Sequence, residues 1–192
     1  MIHQYADKQM HPLYWWCIEQ LKGKLPKEVE YECVEENPFK QWEHIADKRL
    51  RSDPMRFEWM ALPGDNAWLD ADSICIEWPD FSKCKKDKPY IMQLDNGAFE
   101  CGVMFFHEGN QWFALEVLDR FAKMTYKGPG WHYKVLKEMK NDIYPLPDEQ
   151  FFRMLCLSTI IHSRADQIGN KNFSAVRNAF GQFVFNHVTG IL

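Results

Sequence analysis

The chain has no C-x-x-C pair and no Cys/His set at zinc-ligand spacing. Its six cysteines, Cys17, Cys33, Cys75, Cys84, Cys101 and Cys156, are scattered along it. That excludes a zinc finger or ribbon, and a chain this long needs no disulfide framework. The first twenty residues lack a basic segment followed by an apolar run, so no secretory signal is expected. No run approaches the roughly 18 apolar residues of a spanning helix. These absences give the expectation of free thiols, a cytoplasmic compartment and no membrane contact.

Catalytic signatures fail at particular positions. His107-Glu108 would need a second histidine at 111, where Gln111 stands. Gly128-Pro129-Gly130 has no following Lys-Ser/Thr and no dinucleotide-binding spacing. Ser158, Ser163 and Ser174 lack the glycines of a nucleophile elbow. No cofactor is expected on this basis.

What is present is an aromatic-rich chain of one-domain length. Of 192 residues 46% are hydrophobic, with Trp 8 and Phe 14, enough large rings for a core and for a surface anchor. The net charge of −4 is uneven. Residues 1–120 hold 14 basic against 22 acidic side chains, a balance of −8; residues 121–192 hold 9 against 5, a balance of +4.

Apolar spacing predicts a helix over 12–22 that opens on Pro12 and stops at Gly23. A strand is expected over 27–35, with Val29, Tyr31 and Cys33 opposite Glu28, Glu30 and Glu32. A helix from Asn37-Pro38 closes at Ser52-Asp53-Pro54. Alternation of Phe57 and Trp59 suggests a strand over 55–62, and Ser73 opens another that runs to 78. Strands over 90–94 and 99–106 flank Asp95-Asn96-Gly97, a strong hairpin signal because Asn and Gly accept positive φ. Helices follow over 111–124, 131–140, 148–168 and 173–188. Strands grouped apart from helices predict an α+β fold: an antiparallel sheet of four to five strands in the first two-thirds, packed with helices, then a helical C-terminal third. The whole chain, 1–192, reads as a single domain, with 128–192 as a possible helical subdomain.

Three clusters carry candidate chemistry. Asp70, Asp72 and Glu77 stand near a strand start, where two aspartates two apart can share a hard cation such as magnesium. Pro79 occupies the place where a nuclease-like acid-x-Lys arrangement would need its lysine. Trp15 diverges from Trp16 by about 100° on a helix, so one of the two rings faces outward as an interface anchor. With Glu28, Glu30 and Glu32 it forms a candidate protein-binding surface. Lys83, Lys85, Lys86 and Lys88, with Lys134 and Lys137, form a candidate phosphate-contacting surface beside Trp131, His132 and Tyr133.

Missing catalytic spacing, acidic character and surplus aromatics together predict a non-enzymatic binding protein with a protein partner. The expected type is an inhibitor or neutraliser, such as a phage anti-defence or immunity-type protein. The alternatives are a metal-dependent hydrolase or nuclease on phosphate esters, and a nucleic-acid binder using the basic helical end.

Overall fold

A computed structural model describes residues 1–6, 12–71, 73–75, 82, 84–93, 97–125, 128, 130–146 and 154–156. The chain opens on a strand, β1 (Ile2–Tyr5), followed by helix α1 (Pro12–Lys22) and strand β2 (Tyr31–Val34). A short 3-10 turn over Lys40–Trp42 leads to helix α2 (Lys48–Met60) and strand β3 (Asn66–Leu69). Strands β4 (Ser73–Cys75), β5 (Tyr90–Gln93) and β6 (Phe99–Phe106) follow, then helices α3 (Gln111–Lys123) and α4 (Trp131–Glu138). A second 3-10 turn over Lys140–Asp142 precedes the short strands β7 (Tyr144–Pro145) and β8 (Met154–Cys156).

Six strands form one mixed sheet in the order β2-β1-β3-β6-β5-β7. β1 is parallel to both β2 and β3, and β5 is parallel to β7. β6 is antiparallel to β3 and to β5, so it alone runs against the other five. β4 and β8 pair separately. This overturns the expected antiparallel sheet of four to five strands. The physical reason is connectivity: parallel neighbours need long crossovers, and α1 and α2 supply them between β1, β2 and β3. The β5–β6 pairing matches the hairpin expected around Gly97, whose φ of 79° is the left-handed conformation glycine adopts at no steric cost.

Both faces of the sheet are covered, which is why β6 reads as an almost continuous apolar run. Trp68, Met104 and Phe106 face a core built with Phe57 and Met60 of α2, Phe113 and Phe121 of α3, and Trp131 of α4. Ile2, Ala67, Leu69, Val103 and Phe105 face the other way, toward Leu21 of α1. The strand expected over 55–62 is therefore helix. Phe57 and Trp59 are both buried there because α2 is enclosed on most of its circumference, which imitates a strand's alternation. Pro54 lies inside α2 rather than ending it. It removes one ladder bond, to the carbonyl four residues back, near the start of the helix.

Four strands, β1, β3, β7 and β8, had no strand expected from the sequence. β1 carries His3 and Gln4, each 1% exposed. The His3 ring lies 3.2 Å from Glu32 Oε2 and 3.1 Å from Asn66 Oδ1. Gln4 accepts the Tyr31 hydroxyl at 2.6 Å. β3 is a three-residue apolar run between turn formers. The helix expected over 173–188 and most of that expected over 148–168, and with them most of the 128–192 subdomain, lie outside the described residues; Met154–Cys156, within the earlier of the two, is strand β8 and not helix. Among the described residues no helix is long and apolar enough to cross a membrane.

Phe113 is fully buried and meets Phe106 edge-on at 5.8 Å between ring centroids. Phe113→Ala should cost about 3–5 kcal/mol. Urea unfolding should show a lower midpoint with an unchanged slope.

Candidate active site

The chain order reverses at β1. It leaves β1 for β2 on one side, then returns through α2 to β3 on the other. In open α/β sheets the carboxyl ends of strands at such a switch point form the ligand crevice. Ala6 follows β1, and Asp70-Ala71 follows β3, so these residues line that crevice. Ala6 and Ala71 are small and buried together with Ile18, and Gln4 Nε2 donates to the Asp70 carbonyl at 3.4 Å.

Arg56 of α2 is the centre of the polar network there. Its Nη1 donates to Asp53 Oδ1 and to Cys101 Sγ, both at 2.9 Å. Its Nη2 reaches Asp70 at 2.9 Å and 3.1 Å from the two carboxylate oxygens. Trp68 Nε1 donates to Asp70 Oδ1 at 2.8 Å, and the guanidinium stands 5.9 Å from the centre of the Trp68 ring. Side-chain exposures of 12% for Arg56, 10% for Asp53 and 18% for Asp70 place the group largely out of solvent. Burial works against the Arg56 charge, but Asp70, Cys101, Asp53 and Glu100 outweigh it and hold its pKa well above the ordinary value.

α4 adds a second cation. His132 Nδ1 lies 3.2 Å from Asp53 Oδ2. Burial opposes protonation of His132, yet the Cys101 sulfur and the Asp53 carboxylate together lift its pKa to about 10. Beside it the Tyr133 hydroxyl is pushed up to about 12, by burial first and then by Glu100, Cys101 and Asp53.

β6 supplies the last wall. Between Ile91–Met104 and Met92–Glu100, β5 advances one residue while β6 advances four. Such irregularities bend a strand and re-aim its side chains. Here Glu100 turns back so that its Oε2 accepts the Gly102 amide at 2.9 Å, and the Gly102 carbonyl accepts the Asp70 amide at 2.8 Å. A methyl at Gly102 would stand 2.6 Å from Glu100 Oε2 and 2.9 Å from Asp70 Oδ2. The missing side chain is therefore what lets two carboxylates converge.

Carboxylate oxygens suit a hard divalent cation, and Arg56 Nη2, which lies on both oxygens of Asp70, would have to give way for one to bind there. Asp53, Cys101 and His132 also bring ligand-type atoms within 4.8 Å of one another. There, however, Arg56 Nη1 is already hydrogen-bonded to both Asp53 and Cys101, so a guanidinium takes the place a cation would need.

Of the acidic residues singled out from sequence, Asp70 is in this site, while Asp72 and Glu77 lie outside the described residues. Trp15 is half-buried against the Ala6–Ile18–Ala71 group. Glu28 and Glu30 are exposed ahead of β2, and Glu32 on β2 holds His3. Lys85 and Lys88 gather on the Tyr144 ring at 5.3 Å and 5.4 Å. Lys86, Lys134 and Lys137 are exposed, and Lys83 is outside the described residues. Asp53, Arg56, Glu100 and Cys101 were not singled out, and His132 was singled out only as a stacking neighbour of the lysine surface. One available signal was Asp53 and Arg56 three residues apart, one helical turn, just ahead of the Asp70-x-Asp72 pair.

No family model and no curated protein matches the sequence. Solved structures do match. The chain is similar to a glycosyltransferase involved in glycosylation of the major capsid of PBCV-1, with a TM-score of 0.54 and 10% identity over 75% of this chain and 80% of that one. It is also similar to the glycosyltransferase GlyE of Streptococcus pneumoniae TIGR4, with a TM-score of 0.54 and 12% identity over 78% of this chain. It spans 46% of GlyE's length. The fold is thus glycosyltransferase-like. The structures it resembles are glycosyltransferases, which stands against the expected non-enzymatic inhibitor or neutraliser, a reading that rested on missing motifs rather than on a built surface.

The His132 shift has a stability consequence. Its folded pKa, about 10, lies above the ordinary 6.5. The contribution is therefore full below about pH 6.5 and disappears as pH rises through about 10. Denaturant midpoints across that window should fall for the native protein and stay flatter for His132→Gln.

Proposed function

We propose that the protein is a glycosyltransferase that takes its sugar from a nucleoside-diphosphate donor. The observation that carries this reading is the position of Asp70. It ends β3 at the switch point of a sheet shared with glycosyltransferases, and Asp72 follows two residues on.

In such a transfer the bond between the anomeric carbon and the phosphate oxygen breaks, and its electron pair leaves with the diphosphate. The acceptor hydroxyl forms the new bond to that carbon and gives up its proton. The leaving group gathers negative charge, so the site must supply positive charge beside it. Asp70 and Asp72 would hold a divalent cation that supplies this charge when bound. Arg56 orients Asp70 and is itself fixed by Asp53. Its Nε is buried and has no hydrogen-bond partner among the described residues. Trp68 holds Asp70 from the core side and shields that carboxylate from water.

The test is release of nucleoside diphosphate from a panel of nucleotide sugars, with magnesium or manganese present and then chelated. Turnover of at least one donor, lost on chelation and reduced on the order of 10²-fold in Asp70→Asn, is expected. Native protein that binds and cleaves none of the panel, with either metal, removes the reading.

Gly102→Ala probes the carboxylate convergence separately. The methyl meets Glu100 Oε2 and Asp70 Oδ2, so both carboxylates must shift and Tm should fall as the Arg56–Asp70 contact loosens. Displacing these groups by about an ångström should lower turnover on the order of 10²-fold. Equal turnover would show that the convergence is not used.

A further inference from the structure

A second concavity opens on the same edge of the sheet. Because five strands run one way, the carboxyl ends of β3, β5 and β7 and the start of β6 all lie on this edge. Beyond Glu100, a groove of about 620 Å³ is lined by Gln93, Phe99, Tyr133, Lys137, Lys140 and Asn141, among others. That size is within the range of small-molecule sites. Phe99 adjoins Glu100 on β6, and Tyr133 adjoins His132 on α4, so the groove shares two walls with the cleft at Asp70.

The lining is chemically one-sided. The Tyr133 ring is 40% exposed and offers a flat apolar face. Gln93 and Asn141 bring side-chain amides that both donate and accept, the complement of sugar hydroxyls. Lys137 and Lys140 bring two cations, and no carboxylate lines the groove among the described residues. Neither lysine has a carboxylate partner among the described residues, whereas Lys123 is paired with Asp119 and Lys22 with Glu19. Lys88 adds a third positive charge nearby by donating to the Asn141 carbonyl at 2.6 Å.

We infer that this groove is the acceptor site and that it takes a saccharide carrying an anionic group, a carboxylate or a phosphate. Its role as acceptor site rests on the glycosyl-transfer reading; its preference for an anionic sugar rests on the lining alone. The aromatic face stacks on the apolar side of the sugar ring, the amides take hydroxyls, and the lysines take the anion. The reacting hydroxyl then points past Glu100 toward the cleft.

The test is a titration without any donor, read by NMR shifts of the groove amides, using glucose, glucuronic acid and glucose 6-phosphate. Either or both of the anionic sugars should bind about tenfold more tightly than glucose, because exposed charge pairs contribute about 1 kcal/mol or less each. Raising the salt should erode the preference. The doubly substituted Lys137→Glu/Lys140→Glu protein should lose it. Preference for the carboxylate or for the phosphate supports the site and says which anion it takes. Glucose binding as tightly as both anions, or a preference that survives charge reversal, overturns it. No donor is present in these titrations, so failure here leaves donor cleavage by the native protein standing. Absence of donor cleavage with groove binding intact removes the glycosyl-transfer reading alone.

Discussion

Arg56 sets the geometry of everything around the cleft. A guanidinium taken this far out of water is tolerated when its hydrogen bonds are met by opposite charge. Asp53 on its own helix and Asp70 on β3 meet that requirement, with Cys101 on β6 completing the contact. Three elements are thereby fixed relative to one another through one side chain. Asp53 then holds His132, which brings α4 into the same network. Truncating Arg56 would leave two carboxylates facing each other at the bottom of a cleft, which is why its geometric role and its stabilising role cannot be separated by simple deletion.

The second constraint is topological. β1 is the middle of the parallel group, and its neighbours on the two sides are reached by separate helical crossovers. Ala6 and Ala71 are small where the strands β1 and β3 end, so the crevice is not filled by their own side chains. The irregularity between β5 and β6 then brings Glu100 and the bare backbone of Gly102 alongside Asp70. Local chain geometry, not a contiguous motif, assembles the site.

This explains what sequence reading could reach. α1, α3, α4 and the β5–β6 pair follow from spacing, caps and Asn-Gly, because their burial is one-sided or their turns are distinctive. β1 escaped because its core residues include His3 and Gln4, whose hydrogen bonds to distant Asn66, Glu32 and Tyr31 make burial tolerable. α2 was divided at Pro54 and half of it given to a strand, since a helix enclosed on most sides loses its 3.6-residue signature. The Asp70-x-Asp72 spacing was legible in the sequence. Its meaning was not, because that depends on which strand it ends and which strands lie beside it. Asp53 and Arg56 look like ordinary surface charges until the helix is placed on the sheet.

The charge imbalance along the chain also acquires a different sense. From sequence, the acidic first part and the basic later part read as chemically distinct faces or subdomains. In the fold, Asp53, Asp70 and Glu100 come from the first part and Lys137 and Lys140 from the second, yet they occupy adjoining stretches of one sheet edge. A cleft floored by carboxylates suits a cation and the phosphates it would accompany. The groove is edged by Lys137 and Lys140, which have no carboxylate partner among the described residues. The two signs of charge are thus segregated by packing along one sheet edge, carboxylates gathered around one guanidinium and lysines around the neighbouring groove, rather than by position along the chain.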